Sequence, residues 1–242
     1  MNAMTPPDEP AHPAPGTAPT ALDPAAARAA LARGEAVILP NAAPLTHVVA
    51  GIVPGAVNAA KGRPRAQAVA LWAHHPRLRA ELAPRLALDP GGWATAVRLL
   101  DRERITLLVP LAEGPTGPAG ALPDWLAPAT VDGWTLLFGA REPALAAVLD
   151  PFPRLYVSSA NPTGRAPVAS AAEALAAFPA GTRVLADHPE LADPPAFPGP
   201  RRATTTLRLW PDGRLDHHRP GAQCAPHPTP AAYLATLRPP GA

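Results

Sequence analysis

Short apolar runs, separated by polar and Pro- or Gly-rich breaks, recur along this chain, and their length and β-branched content suit strands. Ala36-Val37-Ile38-Leu39 ends at Pro40, and Ala68-Val69-Ala70-Leu71-Trp72 follows a basic turn. The pattern repeats at Arg104 to Pro110, Trp134 to Phe138, Arg154 to Val157, Arg183 to Asp187 and Arg201 to Leu209. Stretches of helical composition lie between the runs. Asp23-Pro24 supplies a capping acceptor and a first-turn proline for a helix over Ala25 to Ala32, which Gly34 stops. Ala56 to Ala60 closes a second helix, Pro76 to Ala83 places Leu78 and Leu82 on one side of a third, and Ala144 to Leu149 and Ala169 to Phe178 give two more. Because strands and helices alternate irregularly, the pattern predicts a single α/β domain built on a mixed, twisted sheet.

Composition trims that domain at both ends. Proline contributes 37 of the 242 residues and clusters at the termini. Those segments carry too little apolar area to offset the entropy of ordering. Residues 1–21 and 224–242 are therefore expected to be tails around a domain spanning 22–223. The formal net charge is +2 and no basic run occurs, which excludes a protein built mainly to neutralise nucleic-acid phosphates. A single cysteine, Cys224, rules out an internal disulfide and fits a reducing compartment. With neither a basic-then-apolar leader nor a long apolar run, a cytoplasmic protein free of the membrane is expected.

Candidate chemistry concentrates at two places. Among 21 basic side chains only Lys61 is a lysine. A chain that otherwise uses arginine keeps lysine where a compact ammonium serves better than a planar fork, for instance between phosphate oxygens. Arg63 stands two residues on, fixed by Pro64, although alone the segment also suits an exposed basic turn. The second place is Val157 to Gly164, where an apolar strand opens into Ser158-Ser159-Ala160-Asn161-Pro162-Thr163-Gly164. Ligands bind at such carboxyl ends of strands in open α/β sheets, while the same residues would also make a plain turn. The pairs His74-His75 and His217-His218 lack a third ligand at metal spacing, and no protein metal site is expected.

Taken in order, Lys61-Gly62-Arg63-Pro64, Ser159-Ala160-Asn161-Pro162-Thr163-Gly164, the strand around Thr205-Thr206 and Arg219-Pro220-Gly221 resemble the YrdC/YciO-like family, which includes the threonylcarbamoyl-adenylate synthases. The resemblance spans about Asp23 to Ala222. It implies a YrdC-like twisted open mixed sheet with a positively charged cleft and flanking helices. It implies an L-threonylcarbamoyladenylate synthase-type nucleotidyltransferase that uses ATP with Mg2+, bicarbonate and a small amino acid, releases pyrophosphate and serves tRNA modification. By resemblance, ATP would meet Lys61, Arg63, Gln67, Ser159, Asn161 and Arg219, and the amino acid or carbamate would meet Thr205. The same fold also accommodates a non-catalytic nucleotide- or double-stranded-RNA-binding module.

The chain departs from the family pattern on the amino-acid side. Pro40 is all that remains of the family's P-T-[DE]-T-x-Y-G, the loop Asn41 to Thr46 being altered, Trp72 stands for a histidine, and Phe138 stands where an arginine would bind the substrate carboxylate. Arg141, three residues further along, is the expected replacement. L-Threonine is therefore expected to be a poor substrate while ATP binding persists.

Overall fold

The computed structural model describes residues 20–112, 122–192 and 199–237. Asp23 caps α1 (Pro24–Ala32) by accepting from Ala26 N at 2.7 Å. Next come β1 (Val37–Leu39), β2 (Val48–Gly51), α2 (Pro54–Ala60) and β3 (Ala70–Trp72). Helices α3 (Pro76–Leu82) and α4 (Pro90–Arg98) precede β4 (Thr106–Pro110), and a short β5 (Thr130–Val131) forms a hairpin with β6 (Trp134–Phe138). The order finishes with α5 (Ala146–Leu149), β7 (Tyr156–Ser159), α6 (Ala171–Ala177), β8 (Arg183–Val184), β9 (Thr206–Leu209), β10 (Leu215–Arg219) and α7 (Pro230–Thr236).

These strands make one open sheet in the order β10-β9-β4-β6-β3-β7-β2-β1-β8, with β5 attached to β6. Three neighbouring pairs are parallel, β1 with β8, β3 with β6 and β4 with β9, and the others are antiparallel. The sheet is mixed, as the irregular alternation predicts.

Successive strand residues point to opposite faces, and the two apolar clusters follow that parity. On one face α2, α3, α4, α6 and α7 bury Val57, Leu78, Leu82, Ala96, Ala174 and Tyr233 against Ile38, Val49, Leu71, Leu107, Leu137 and Leu207. On the other, α1 and α5 place Ala27, Leu31, Val148 and Leu149 against Val37, Leu39, Trp72 and Leu155. Two helices cannot cover so wide a sheet. Among the described residues, the stretch of this second face running from β9 to β7 carries no helix, and it becomes the floor of a cavity.

The expected C-terminal tail is corrected by the structure. Cys224, Tyr233 and Leu237 are buried in the main core, and Arg98 Nη2 donates to Leu237 O at 3.0 Å. The prolines that suggested a tail instead start α7, where Pro230 takes the first turn and Thr229 Oγ1 accepts from Ala232 N. At the other end Leu22 pairs with Leu185, and residues 1–19 of the expected N-terminal tail lie outside the described residues. Pattern reading also misses β2, α4 and β10. Helix α4 opens with Gly91-Gly92, poor helix formers that the Asp89 cap compensates by accepting from Gly92 N at 2.6 Å. Strand β10, Leu215-Asp216-His217-His218-Arg219, is a polar sheet edge without an apolar run.

Candidate functional site

A cavity of about 510 Å³ opens on the uncovered sheet face. Its floor alternates out of the strands as parity requires: Thr106 and Leu108 from β4, Trp134, Leu136 and Phe138 from β6, Thr206 and Arg208 from β9. Arg63, Ser159 and Arg219 complete the wall at its cationic end.

Lys61 stands at the C-terminal end of α2, and Gly62, with φ +65, turns the chain so that Arg63 comes back toward the same helix. Asn58 organises that turn. Fully buried, it donates through Nδ2 to Arg65 O at 2.9 Å and Gln67 O at 2.6 Å, and its Oδ1 accepts from Arg63 Nε. The Lys61 ammonium crosses to the loop after β7, donating to Asn161 Oδ1 at 2.8 Å and to the Ser159 carbonyl. Ser159 Oγ donates to the same Asn161 Oδ1 at 2.7 Å, and Thr163 Oγ1 closes the arrangement by donating to Lys61 O at 3.0 Å.

The electrostatics are those of an anion site. Lys61 is buried yet has no carboxylate in ion-pair range among the described residues. Desolvation, with the nearby charges of Arg63 and Arg219, lowers its pKa to about 7. Burial also pulls the guanidinium groups of Arg63 and Arg219 below their ordinary values. Arg63 Nη2 is a buried donor without a partner. Three cations thus converge from two segments, the turn after α2 and the end of β10, and the protein offers them only neutral oxygens. An unpaired buried cation is strongly unfavourable, so such a cluster is stabilised by an anion with several oxygens.

Of the residues read from the sequence, the structure brings together Lys61, Arg63, Ser159, Asn161 and Arg219. Gln67 is exposed and lies outside the cavity wall. Thr205 points into the opposite core, because parity puts Thr204 and Thr206 in the cavity; Thr205 Oγ1 accepts from Cys224 N at 3.1 Å. Arg141 faces a different polar hollow beside His74, Arg79 and Asp101, and it pairs with Asp150 at 2.6 Å. It is therefore not in the cavity where a replacement arginine was expected. Phe138 lines the cavity, whereas Trp72 is fully buried with Nε1 donating to Ala140 O at 2.7 Å. The 41–46 loop folds on itself through Asn41 Nδ2 to Thr46 O at 2.9 Å, and Glu142, paired with Arg104, accepts from Ala42 N.

Asn58 and Arg208 are the site residues that pattern reading misses. The parity of the Arg201 to Leu209 strand could have found Arg208, since it stands two residues from Thr206 on the same face. Among the described residues no group of three His, Cys, Asp or Glu side chains gathers as a metal site, and no helix is long and apolar enough to cross a membrane.

No protein-family model matches the chain, and no curated protein matches it either. Solved structures do. Two structures of P. abyssi Sua5 superpose with TM-scores of 0.57 and 0.52 at 16% and 17% identity, covering 83% and 78% of this chain. The second of them holds L-threonine. E. coli YciO superposes at 0.56 with 13% identity, over 84% of this chain and 91% of its own. The fold is the YrdC/Sua5-like fold. Full-length HypF in its phosphate- and nucleotide-bound form matches as well, with a TM-score of 0.55 and 14% identity over 84% of this chain and 30% of that one. This chain covers 57% and 52% of the Sua5 chains, a little over half of their length.

Proposed function

We propose that this YrdC-like chain binds ATP in the sheet cavity and is an L-threonylcarbamoyladenylate synthase-type nucleotidyltransferase. The observation that carries the reading is the cluster of Lys61, Arg63 and Arg219 around neutral oxygen acceptors, with no carboxylate to balance it. A triphosphate supplies that balance, and Mg2+ arrives with the nucleotide as part of the substrate. Structural neighbours recorded with L-threonine and with phosphate and nucleotide support the same pair of ligands.

In this reading the amine of a small amino acid attacks bicarbonate-derived CO2 to give a carbamate. A carbamate oxygen then attacks the α-phosphorus, the bond from that phosphorus to the bridging oxygen breaks, and pyrophosphate leaves with the bond electrons. The residues of the cavity contribute mainly by positioning and by cationic stabilisation of the leaving pyrophosphate. The product would serve tRNA modification in the cytoplasm, and RNA or tRNA-modification proteins are the partners this reading implies.

A second reading, a non-catalytic nucleotide- or double-stranded-RNA-binding module, is favoured by one observation. Although Asn41, Leu45 and Thr46 of the 41–46 loop line the cavity, Asn41 Nδ2 is spent on Thr46 O and Ala42 N on Glu142, so these donors are taken up within the protein. Calorimetry with ATP, followed by pyrophosphate release with bicarbonate and each of several amino acids, separates the two. Binding with amino-acid-dependent release supports the synthase, and binding without release supports the module. Undiminished ATP affinity in Lys61→Ala and Arg63→Ala would refute the nucleotide site in either reading, because losing a charge-assisted contact should weaken binding roughly tenfold to hundredfold.

A further inference from the structure

The cavity holds another cation, apart from Lys61 and Arg63 and one strand over from Arg219, which pairs with Thr206. Arg208 on β9 lies beside Leu108 and Leu108 beside Leu136, while the next residue of β6, Leu137, lies beside Leu71 and Leu71 beside Tyr156. Four strand intervals therefore separate Arg208 from β7, about 19 Å along the sheet at ordinary strand spacing. The side chains between are apolar. Arg63 and Arg219 both bear on the Lys61 ammonium, and Arg208 does not.

Around Arg208 the structure is already arranged for a planar anion. Its guanidinium carbon sits 5.3 Å from the Trp134 ring centroid, which fixes the plane of the fork. Its Nε is buried and unpartnered. Asp216, directly across the strand, feels the charge of Arg208 but gives its oxygens to Trp210 Nε1 at 2.7 Å and to Arg214. Asp132 also lines the cavity, on the exposed β5–β6 turn, and makes no ion pair with Arg208. On the same wall Thr106 and Thr204 share a hydroxyl bond of 2.6 Å next to Thr206, so short polar groups adjoin the fork.

We propose that Arg208, seated on Trp134, is the residue that grips the carboxylate of the small acid sharing this cavity with the nucleotide. A single guanidinium with an unused N–H, a hydroxyl wall and an apolar floor fits one carboxylate on a small organic body better than a polyphosphate, which is met by Lys61 together with the two guanidinium groups that bear on it, Arg63 and Arg219. The acid therefore lies across β9 and β4, against the Leu108–Leu136 floor. This assignment rests on the nucleotide reading above, and its test is built so that the two can fail separately.

The experiment measures, by calorimetry, ATP binding first and then the binding of glycine, L-alanine, L-serine and L-threonine in the presence of a non-hydrolysable ATP analogue, each against its carboxamide. The parent protein should prefer at least one acid over its amide by tenfold or more. Arg208→Gln should lose that preference while its ATP affinity stays within about twofold of the parent, and Arg208→Lys, which keeps charge without the fork, should fall between them. Melting curves confirm that both variants are folded. Equal acid and amide binding in the parent, or an undiminished preference in Arg208→Gln, overturns the proposal. A parallel loss of ATP affinity in Arg208→Gln overturns it too, by assigning Arg208 to the phosphates. Absence of ATP binding in the parent instead removes the nucleotide reading on which the assignment rests.

Discussion

If the cation cluster holds a triphosphate, ATP binding must take up a proton. Free Lys61 titrates near 7 because burial and two guanidinium neighbours disfavour its charge. At pH 8 it is then only about one-tenth protonated. Phosphate oxygens placed against the ammonium reverse the sign of its surroundings and return it toward its ordinary value of 10.5, so the bound state is fully charged. The difference is about 0.9 proton per ATP at pH 8, and linkage then requires the affinity to fall roughly fifty-fold between pH 7 and pH 9. Above pH 7.5 the terminal phosphate is already ionised and adds little to this slope.

Unliganded stability moves the opposite way. A lysine whose folded pKa is depressed leaves the unfolded chain holding more protons between about pH 7 and 10.5, so without nucleotide this residue adds stability as pH rises through that window. Calorimetry at pH 8 in two buffers of different ionisation enthalpy gives the proton count directly. Lys61→Arg supplies the control, since a guanidinium stays charged and should bind ATP with no proton uptake from this position. Uptake below about 0.2 proton in the parent, or an affinity flat from pH 7 to 9, would refute the placement of the triphosphate against Lys61.

Two further expectations follow from packing. Asn58→Ala removes the side chain that holds Arg63, Arg65 and Gln67 in one turn, and it should weaken ATP binding about tenfold through mispositioning, with a melting loss that Asn58→Asp does not rescue because Nδ2 makes two of the three bonds. Tyr233→Ala should cost about 3 kcal/mol and roughly 6–12 °C in Tm by emptying a core position, while Tyr233→Phe should be neutral or mildly stabilising, since the hydroxyl is buried without a partner; a truncation before Pro228 that melts like the parent would show that α7 adds nothing to the core.

How much of this was legible in the sequence depends on whether a residue acts locally or through the sheet. The Asp23 cap, the helix ending at Ala60, the Trp134–Phe138 strand and the strand opening into Ser159 are local events, and their residues declare them. The Lys61 and Ser159 loops were legible because each carries its own turn chemistry and they recur in a recognisable order. Arg219 joined them on order alone, from a strand too polar to read as one. Thr205 and Arg141 face away from the cavity, because a spacing of one residue decides the face of a strand and a spacing of three along a loop decides nothing about direction, and Gln67 stands exposed outside it. Spacing that identifies a segment does not orient it.

That distinction also explains where the cavity lies. Nothing in any single strand says that its even or odd positions will be covered; coverage depends on how many helices return to each face. Among the described residues five helices return to one face and two to the other, and the cluster under those two reaches Trp72 and Phe138. The strands from β9 to β7 then expose one side of their parity, and each side chain on it, whether Leu108, Thr106 or Arg208, becomes cavity wall by position. Lys61 is the exception that sets the polarity of the hollow. It stands behind the wall, coming from α2 outside the sheet and donating to Ser159 O and Asn161 Oδ1 on the loop after β7, so the anion-binding end follows from two short turns together with Arg219 at the end of β10.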